Sequence, residues 1–163
     1  MRIIAGTHRG KKLVEYYTPT TRPTTDRVKE NVFNLLGNYL DFNGITVLDL
    51  FAGTGAYGIE CLSRGAKFVH FNDFDPAAIA IVKKNLGATW HNCRVTQKDY
   101  LTAVNGDYDL IFLDPPYDSD YGRRAIDAIG HGLIVFETDR EFNHPQTILA
   151  RRYGRTWIYL IQK

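Results

Sequence analysis

A short apolar segment followed directly by a glycine-rich loop is the feature that most limits how this chain can fold. Residues 45–51 have the sequence ITVLDLF, which is typical of a strand buried on both faces. Gly53, Gly55 and Gly58 follow in the sequence GTGAYG. Glycines let the backbone turn tightly and approach a ligand, and the N-terminus of the next helix offers unpaired N–H groups. The pattern predicts a strand, a ligand-binding loop and a helix over residues 56–63.

Strands and helices continue to alternate towards the C-terminus. FVHFND predicts a second strand, and residues 76–86 predict a helix with proline in its first turn. Later strands are predicted in RVTQKD, YDLIFLD, LIVFET, TILARRY and TWIYLIQ. Gly154 and Arg155 separate the last two, which indicates a hairpin. This order predicts an α/β fold with a doubly wound, mostly parallel sheet and a C-terminal antiparallel hairpin.

The beginning of the chain has a different pattern. Within residues 3–14, two apolar pairs flank a segment rich in Gly and Lys, which predicts a small hairpin. A stretch rich in Thr and Pro then predicts an extended loop. Asp26 follows as the expected N-cap of a helix whose apolar residues recur at i, i+4, i+5 and i+8. Gly37 or Asn38 is expected to end that helix.

Two aspartates flank the glycine loop. Asp73 follows Gly53 by 20 residues, at the end of the second strand, where an acid can accept a hydrogen bond from a ribose hydroxyl. Asp49 stands just before the loop, where a carboxylate would repel a pyrophosphate but suits a cationic amino-acid group. S-adenosylmethionine has an ammonium group, a carboxylate and a ribose, and it has no phosphate. A dinucleotide-binding dehydrogenase would share the glycine loop and Asp73, so Asp49 is the acid that favours methyl transfer over hydride transfer.

A second motif, Asp-Pro-Pro-Tyr, occupies residues 114–117 after the strand YDLIFLD. Ligands of open α/β sheets gather at the carboxyl ends of strands, so this turn is expected to face the same crevice as the glycine loop. Asp114 and the Pro115 carbonyl can each accept one N–H of an exocyclic amine, and Pro116 stiffens the turn. Tyr117 can stack on the base. The motif predicts methyl transfer to a nucleobase amine, with these four residues in catalytic roles.

Composition and charge agree with a globular enzyme. The 163 residues favour one domain, 44% of them are hydrophobic, and no apolar run approaches the length of a membrane helix. The N-terminus lacks the apolar core of a secretory signal, so a cytoplasmic protein is expected. Cys61 and Cys93 stand apart from other metal-ligand residues, so neither a disulfide nor a metal is predicted.

Positive charge is concentrated at the N-terminal end. Residues 1–30 contain seven Lys or Arg and three Asp or Glu, whereas the other residues contain 13 and 15. Such an excess indicates contact with a polyanion, although a solvated basic tail would have the same composition.

The motifs together resemble a known family. VLDLFAGTGAYGIE, FNDFD, LIFLDPPY and YGRTWIYLI resemble the class I S-adenosylmethionine-dependent methyltransferases, whose seven-stranded sheet also ends in an antiparallel hairpin. More narrowly, MRIIAGTHRGKKL and RPTTDRVKENVFN resemble the bacterial 16S rRNA guanine-N2 methyltransferases of the RsmD type. This resemblance covers nearly the whole chain. It implies S-adenosyl-L-methionine as cofactor, a guanine of 16S rRNA in the small ribosomal subunit as target, and a monomeric protein.

The resemblance also assigns roles to residues. It places Asp49, Gly53 and Gly55 against the methionine part of the cofactor, Asp73 at the ribose and Phe74 beside the adenine. Asp99 would meet the adenine amine, although an ordinary surface aspartate would have the same sequence context. The full predicted cofactor set is Asp49, Phe51, Gly53, Gly55, Asp73, Phe74, Asp99 and Tyr100. The predicted RNA-contacting set is Arg2, Arg9, Lys11, Lys12, Arg22, Thr24 and Arg27.

These assignments divide the predicted single domain into an RNA-facing hairpin and loop at residues 1–25 and a catalytic core at residues 26–163. The chain departs from the family pattern in two places. Asp73 stands where a glutamate is more usual, so the ribose contact is expected to be shorter or relayed. Residues 141–145 form a brief connection where a helix is more usual.

Four other functions share part of the pattern. A dehydrogenase would leave residues 114–117 unexplained and would need a substrate domain for which there is no room. DNA adenine-N6 methyltransferases share Asp-Pro-Pro-Tyr but usually carry an added recognition domain, and protein glutamine methyltransferases favour asparagine at position 114. A non-catalytic RNA-binding domain would be distinguished by a methyl-transfer assay.

Overall fold

The computed structural model describes residues 1–15 and 26–163. Within them the chain forms one mixed sheet with helices on both faces. Its strands are β1 (Thr46–Asp49), β2 (Phe68–Asn72), β3 (Cys93–Thr96), β4 (Leu110–Leu113), β5 (Leu133–Thr138), β6 (Thr147–Tyr153) and β7 (Thr156–Gln162). The helices are α1 (Asp26–Leu36), α2 (Ala56–Ser63), α3 (Pro76–Leu86), α4 (Tyr100–Ala103) and α5 (Tyr121–Ala128).

The strand order is β3-β2-β1-β4-β5-β7-β6. Strands β1 to β5 pair in parallel, whereas β7 runs antiparallel to both β5 and β6. The predicted doubly wound sheet with a C-terminal hairpin is therefore confirmed. The chain places β2 and β3 on one side of β1 and β4 on the other, so the connections after β1 and β4 diverge. Open α/β sheets bind ligands in the crevice at such a switch point.

Each face of the sheet has its own apolar core. Helices α1 to α3 cover one cluster, which includes Phe33, Tyr57 and Phe112. Helices α4 and α5 cover the other, which includes Ile111 and Ile126. All residues of β4 and β5 are buried, as the apolar composition of these strands predicts. No helix within the described ranges is long and apolar enough to span a bilayer.

The N-terminal segment forms a hairpin with a single antiparallel bridge, between Arg2 and Lys12. A buried charged cluster attaches it to the rest of the protein. Glu60 on α2 accepts hydrogen bonds from the backbone N–H groups of Ile4 at 2.8 Å and Ala5 at 2.9 Å. Its carboxylate also pairs with Lys29 at 3.3 Å, and the side chains of both residues are fully buried. The sequence patterns did not predict this cluster.

Several predictions of local structure need correction. Asp26 is the first residue of α1 and not its N-cap, and its carboxylate accepts the backbone N–H of Arg2 at 3.0 Å. The strand predicted in RVTQKD was expected to reach Asp99, but β3 ends at Thr96. Asp99 caps α4, where its carboxylate accepts the N–H of Leu101 at 2.9 Å. Helices α4 and α5 were not predicted. The expected brief connection before β6 is confirmed, since residues 139–146 contain no helix.

Candidate active site

A cavity of about 890 Å³ opens at the carboxyl ends of β1, β2 and β4. Gly53 after β1, Asp73 after β2 and Asp114 after β4 all line it. The structure thus brings the glycine loop and the Asp-Pro-Pro-Tyr turn into one crevice, as the topology predicts. Its volume lies within the range of roughly 300–1,000 Å³ typical of cofactor and ligand sites.

The glycine loop turns tightly between β1 and α2. The Gly55 N–H donates to the Ala52 carbonyl at 2.6 Å, and both Gly53 (φ +53°) and Gly55 (φ +77°) have positive φ. Only glycine adopts that region routinely, so the loop requires both residues. Apart from Gly53 and its two chain neighbours, no atom of residues 1–15 and 26–163 lies within 4 Å of the position that a Cβ would occupy at Gly53. The backbone at Gly53 therefore has an open side within the cavity lining.

Gly58 and Asp49 hold the start of α2 against the sheet. A Cβ at Gly58 would lie 2.3 Å from Cε1 of Phe71, so glycine permits the close approach of helix and strand. Asp49 is buried, and its Oδ2 accepts the Gly58 N–H at 3.0 Å. Burial raises the pKa of Asp49 to about 7; the Gly58 hydrogen bond opposes the shift and the nearby Asp73 adds to it. Asp49 and Gly55 are absent from the cavity lining, unlike the other predicted cofactor residues.

Asp73 is already engaged in fixing the loop. Its Oδ2 accepts the Gly53 N–H at 2.8 Å, and its Oδ1 accepts the Asp75 N–H at 2.9 Å. Burial raises its pKa, while these two hydrogen bonds lower it. A carboxylate has about four lone-pair sites, so each oxygen can still accept a further bond from a hydroxyl. The arrangement is compatible with the predicted ribose contact.

Aromatic side chains form another part of the cavity wall. Phe74 is 76% exposed, and Phe51 packs against the ring of Tyr100 with centroids 5.6 Å apart. The Tyr100 hydroxyl is buried and has no hydrogen-bond partner among the described residues. Buried polar atoms are rarely left unpaired in native proteins, so a polar group of a ligand in the cavity would supply the partner that this hydroxyl lacks. Apolar rings, carboxylates and an unpaired hydroxyl fit S-adenosyl-L-methionine, which combines an adenine with polar and cationic groups.

The Asp-Pro-Pro-Tyr turn lines the cavity with all four of its residues. A buried glutamate from the neighbouring strand connects it to α2. Glu137 on β5 accepts the hydroxyl of Tyr57 at 2.9 Å and that of Tyr117 at 3.4 Å. Burial, and next the charge of Glu137, raise the pKa of Tyr57 well above its usual value, so its hydroxyl stays protonated and donates. Glu137 therefore links the helix after the glycine loop to the predicted base-binding tyrosine.

The predicted RNA-contacting residues lie at different distances from this cavity. Arg2, Arg27 and Lys12 are exposed, whereas Lys11 is half-buried with its Nζ 3.5 Å from Oγ1 of Thr89. The hairpin tip with Arg9 lies against the C-terminal end of α2, where the Thr7 N–H donates to the Ser63 carbonyl at 2.8 Å. Because α2 begins at the cavity and runs away from it, Arg9 is remote from the Asp-Pro-Pro-Tyr turn. Arg22 and Thr24 lie outside the described residues.

Sequence patterns missed several residues that shape the site. Asn72 joins the ends of β1, β2 and β3, since its side chain bonds the backbone of Lys98 and Leu50 and accepts the Thr96 hydroxyl at 2.8 Å. Arg124 on α5 also lines the cavity. Across residues 1–15 and 26–163, no group of three or more His, Cys, Asp or Glu side chains is arranged to hold a metal ion.

The strand order, the antiparallel β7 and the glycine-loop cavity are those of the class I methyltransferase fold, whose members use S-adenosyl-L-methionine. The chain belongs to the family described as Conserved hypothetical protein 95, which matches residues 1–162.

Named relatives and a solved structure agree with this assignment. The chain is 38% identical to the putative rRNA methyltransferase YlbH of Bacillus subtilis, over 100% of this chain and 99% of that protein. It is 35% identical to ribosomal RNA small subunit methyltransferase D of Haemophilus influenzae, over 86% of this chain and 80% of the relative. The solved structure of the putative methyltransferase yhhF from Escherichia coli superposes with a TM-score of 0.83 at 28% identity, covering 100% of this chain and 97% of that one.

Proposed function

We propose that this protein methylates the exocyclic N2 amine of a guanine in 16S rRNA of the small ribosomal subunit. The observation that carries the proposal is that Asp114, Pro115 and Tyr117 line the same cavity as Gly53 and Asp73. A base held by the turn would lie beside a cofactor held by the glycine loop. The names of the relatives support an rRNA substrate. The proposed enzyme is a cytoplasmic monomer with residues 1–25 facing RNA and residues 26–163 forming the catalytic core.

The cavity residues can activate such an amine without acid catalysis. When bound, S-adenosyl-L-methionine supplies a methyl group on a sulfonium, which is a good leaving group. A guanine amine is a poor nucleophile because its lone pair is delocalised into the ring. Asp114 and the Pro115 carbonyl accept its two N–H groups, which favours a pyramidal nitrogen with a localised lone pair. The nitrogen gives up one proton as it takes the methyl group, and the Asp114 carboxylate that already accepts this N–H can receive it. Positioning supplies most of the rate enhancement.

Tyr117 has the role of holding the base plane. Its ring can stack on the base, and the bond from its hydroxyl to Glu137 restrains where the ring lies. Glu137 also accepts the hydroxyl of Tyr57, on the helix that follows the glycine loop. One buried carboxylate therefore fixes the position of the Asp-Pro-Pro-Tyr turn relative to that helix.

The product identifies the reaction directly. The protein would be incubated with methyl-labelled S-adenosyl-L-methionine and undermethylated small ribosomal subunits, and the RNA would then be digested to nucleosides. We expect the label in N2-methylguanosine. Label in N6-methyladenosine would replace guanine by adenine as the target, and RNA that stays unlabelled while cofactor binds would contradict the proposal.

Tyr117→Ala should weaken capture of the base. Loss of base–aromatic stacking removes roughly 1–3 kcal/mol, so the KM for RNA should rise about tenfold to a hundredfold. Tyr117→Phe retains the ring and should have a much smaller effect, and neither variant should change cofactor affinity. Steady-state kinetics and calorimetry with S-adenosylhomocysteine measure these quantities. A normal KM for the alanine variant would show that Tyr117 does not contact the base.

A further inference from the structure

A second concentration of positive charge lies at the C-terminal end of the chain. Residues 142–163 contain four basic residues and no acidic residue, whereas residues 31–141 contain nine basic and fifteen acidic residues. Three of the four basic residues, Arg151, Arg152 and Arg155, lie at the turn between β6 and β7. We call this group the arginine tip.

The strand register places the arginine tip on the same edge of the sheet as the cavity. Thr138, the last residue of β5, pairs with Trp157 near the start of β7, so the turn extends past the carboxyl end of β5. Phe136 of β5 pairs with Leu113, the last residue before the Asp-Pro-Pro-Tyr turn. Three strand spacings separate β4 from β6, which corresponds to about 14 Å across the sheet. RNA bound at the cavity could reach the arginine tip with a few nucleotides.

The three guanidinium groups are available for a ligand. All three residues are exposed, and none forms a salt bridge within residues 1–15 and 26–163. Arg151 donates to the Ala150 carbonyl and Arg152 to the Gly154 carbonyl, each at 3.0 Å. A guanidinium has five N–H donors, so most donors stay unused.

One ring contact and the tight turn itself define the geometry of the arginine tip. The Arg152 guanidinium carbon lies 5.5 Å from the centroid of the Trp157 ring, and Arg155 lies in the tight turn itself. By contrast, Arg140 is paired with Asp118 at 3.0 Å and with Asp139 at 3.4 Å, so its charge is compensated. Arginines without an acidic partner, held on a hairpin turn, match the charge and the oxygen geometry of phosphates.

We propose that the arginine tip binds backbone phosphates of the RNA segment that flanks the target guanine. This inference rests on the proposed function, because it takes rRNA as the substrate. The arginine tip would anchor the RNA on one side of the cavity, on the edge where the base must enter. The N-terminal hairpin tip with Arg9 lies towards the opposite edge, so the two basic regions would not contact the same nucleotides.

Charged residues on an edge strand can also serve to prevent pairing with another sheet. Strand β6 is such an edge, and Arg151 and Arg152 belong to it. Arg155 belongs to the turn, so its charge does not protect the edge strand from pairing with another sheet. A change at Arg155 alone therefore separates phosphate binding from protection of the edge.

The test compares RNA affinity across a salt series for matched triple variants. The first replaces Arg151, Arg152 and Arg155 by glutamine, and the second replaces them by lysine, which retains the point charges. The control replaces Lys67, Lys83 and Lys84 by glutamine. These lysines are also exposed, but Lys67 directly precedes β2 and the other two lie in the last turn of α3, towards the amino ends of the strands. The RNA is an unmodified small-subunit rRNA transcript, and methyl incorporation at low salt is measured in parallel.

Each phosphate contact contributes about −0.7 to −0.9 to the log–log slope of affinity against salt. We expect the glutamine triple variant to flatten the slope by about two units, whereas the lysine triple variant and the control should both keep the wild-type slope. Arg155→Gln alone should flatten it by about one unit. An unchanged slope for the glutamine triple variant or for Arg155→Gln would overturn the inference. Failure of the proposed function is distinct, since the wild type itself would then transfer no methyl group to the transcript or to subunits.

Discussion

Asp114→Ala is expected to reduce kcat by about 10²–10³ while cofactor affinity stays almost unchanged. The magnitude follows from deletions of single oxyanion-hole donors, which likewise remove a group that matters mainly as charge redistributes in the transition state. Asp114 lines the cavity at the end of β4 and belongs to the turn that is proposed to grip the target amine. The alanine removes one of the two acceptors, so the amine would stay planar and its lone pair delocalised.

Single-turnover kinetics with saturating subunits and cofactor measure this effect on the chemical step, and calorimetry with S-adenosylhomocysteine measures binding. Asp120→Ala is a matched control. Asp120 follows β4 in the same connection and stands just before α5, but it does not line the main cavity, and its side chain makes no capping hydrogen bond to α5. Normal turnover by the Asp114 variant would make the residue structural and would contradict the mechanism. Equal losses in both variants would indicate a general effect on the turn.

The sequence predicts elements well where a strong local signal marks their ends. Helices α2 and α3 begin and end at the expected residues, since a glycine loop precedes α2 and a proline opens α3. The C-terminal hairpin was likewise located by its Gly154 turn. Helix α5 has no comparable signal. Its buried residues are small or few, and Asp120 at its N-cap makes no side-chain bond there.

Buried charged residues are the part of the site that sequence patterns do not reveal. Lys and Glu are almost never fully buried unless paired, so a pattern assigns them to the surface by default. Lys29 lies at the spacing of the apolar face of α1, and Glu137 interrupts the otherwise apolar strand LIVFET, which are the only local hints. Their partners are distant in sequence, since Tyr57 and Glu137 are 80 residues apart. Only the fold brings them together.

The second basic region was not visible in the sequence analysis, because the charges of residues 31–163 were summed together. The positive excess at residues 1–30 is visible because it stands at one end, whereas the remaining residues sum to a small negative charge. That sum combines a strongly acidic middle with a wholly basic end. Strand register, which composition does not contain, then shows that the basic end lies on the same edge of the sheet as the cavity.

Asp49→Asn should stabilise the protein against unfolding at alkaline pH while weakening cofactor binding. Burial is the main cause that raises the pKa of Asp49 to about 7, far above the value of roughly 3.9 expected in the unfolded chain. Between these two pH values the folded protein binds a proton that the unfolded chain has lost. Stability therefore falls as pH rises from about 4 to about 7, and the loss is complete above the folded pKa.

Asparagine has no charge to desolvate, and its amide oxygen can still accept the Gly58 N–H that Asp49 now accepts at 3.0 Å. The stabilities of the two proteins should be nearly equal at pH 4. At pH 8 the variant should be more stable by on the order of 4 kcal/mol. Denaturant unfolding at several pH values measures the difference, in which the titrations of all other groups cancel. A constant difference across this range would contradict the raised pKa.

Measurements of cofactor binding test whether the ionised form of Asp49, which lowers the stability of the fold, contributes to binding S-adenosyl-L-methionine. If the carboxylate of Asp49 meets the ammonium group of S-adenosyl-L-methionine, binding favours its ionised form. The wild-type affinity should then rise with pH up to about 7, where Asp49 ionises. The Asn variant should lose a charge-assisted bond worth roughly 1.5–3 kcal/mol, which is about tenfold to a hundredfold in affinity, together with this pH dependence. Calorimetry between pH 6 and about pH 8 measures both, over the interval that contains the folded pKa. Equal affinity of the two proteins across that interval would confine Asp49 to holding the start of α2, because its bond to Gly58 would then be its only role.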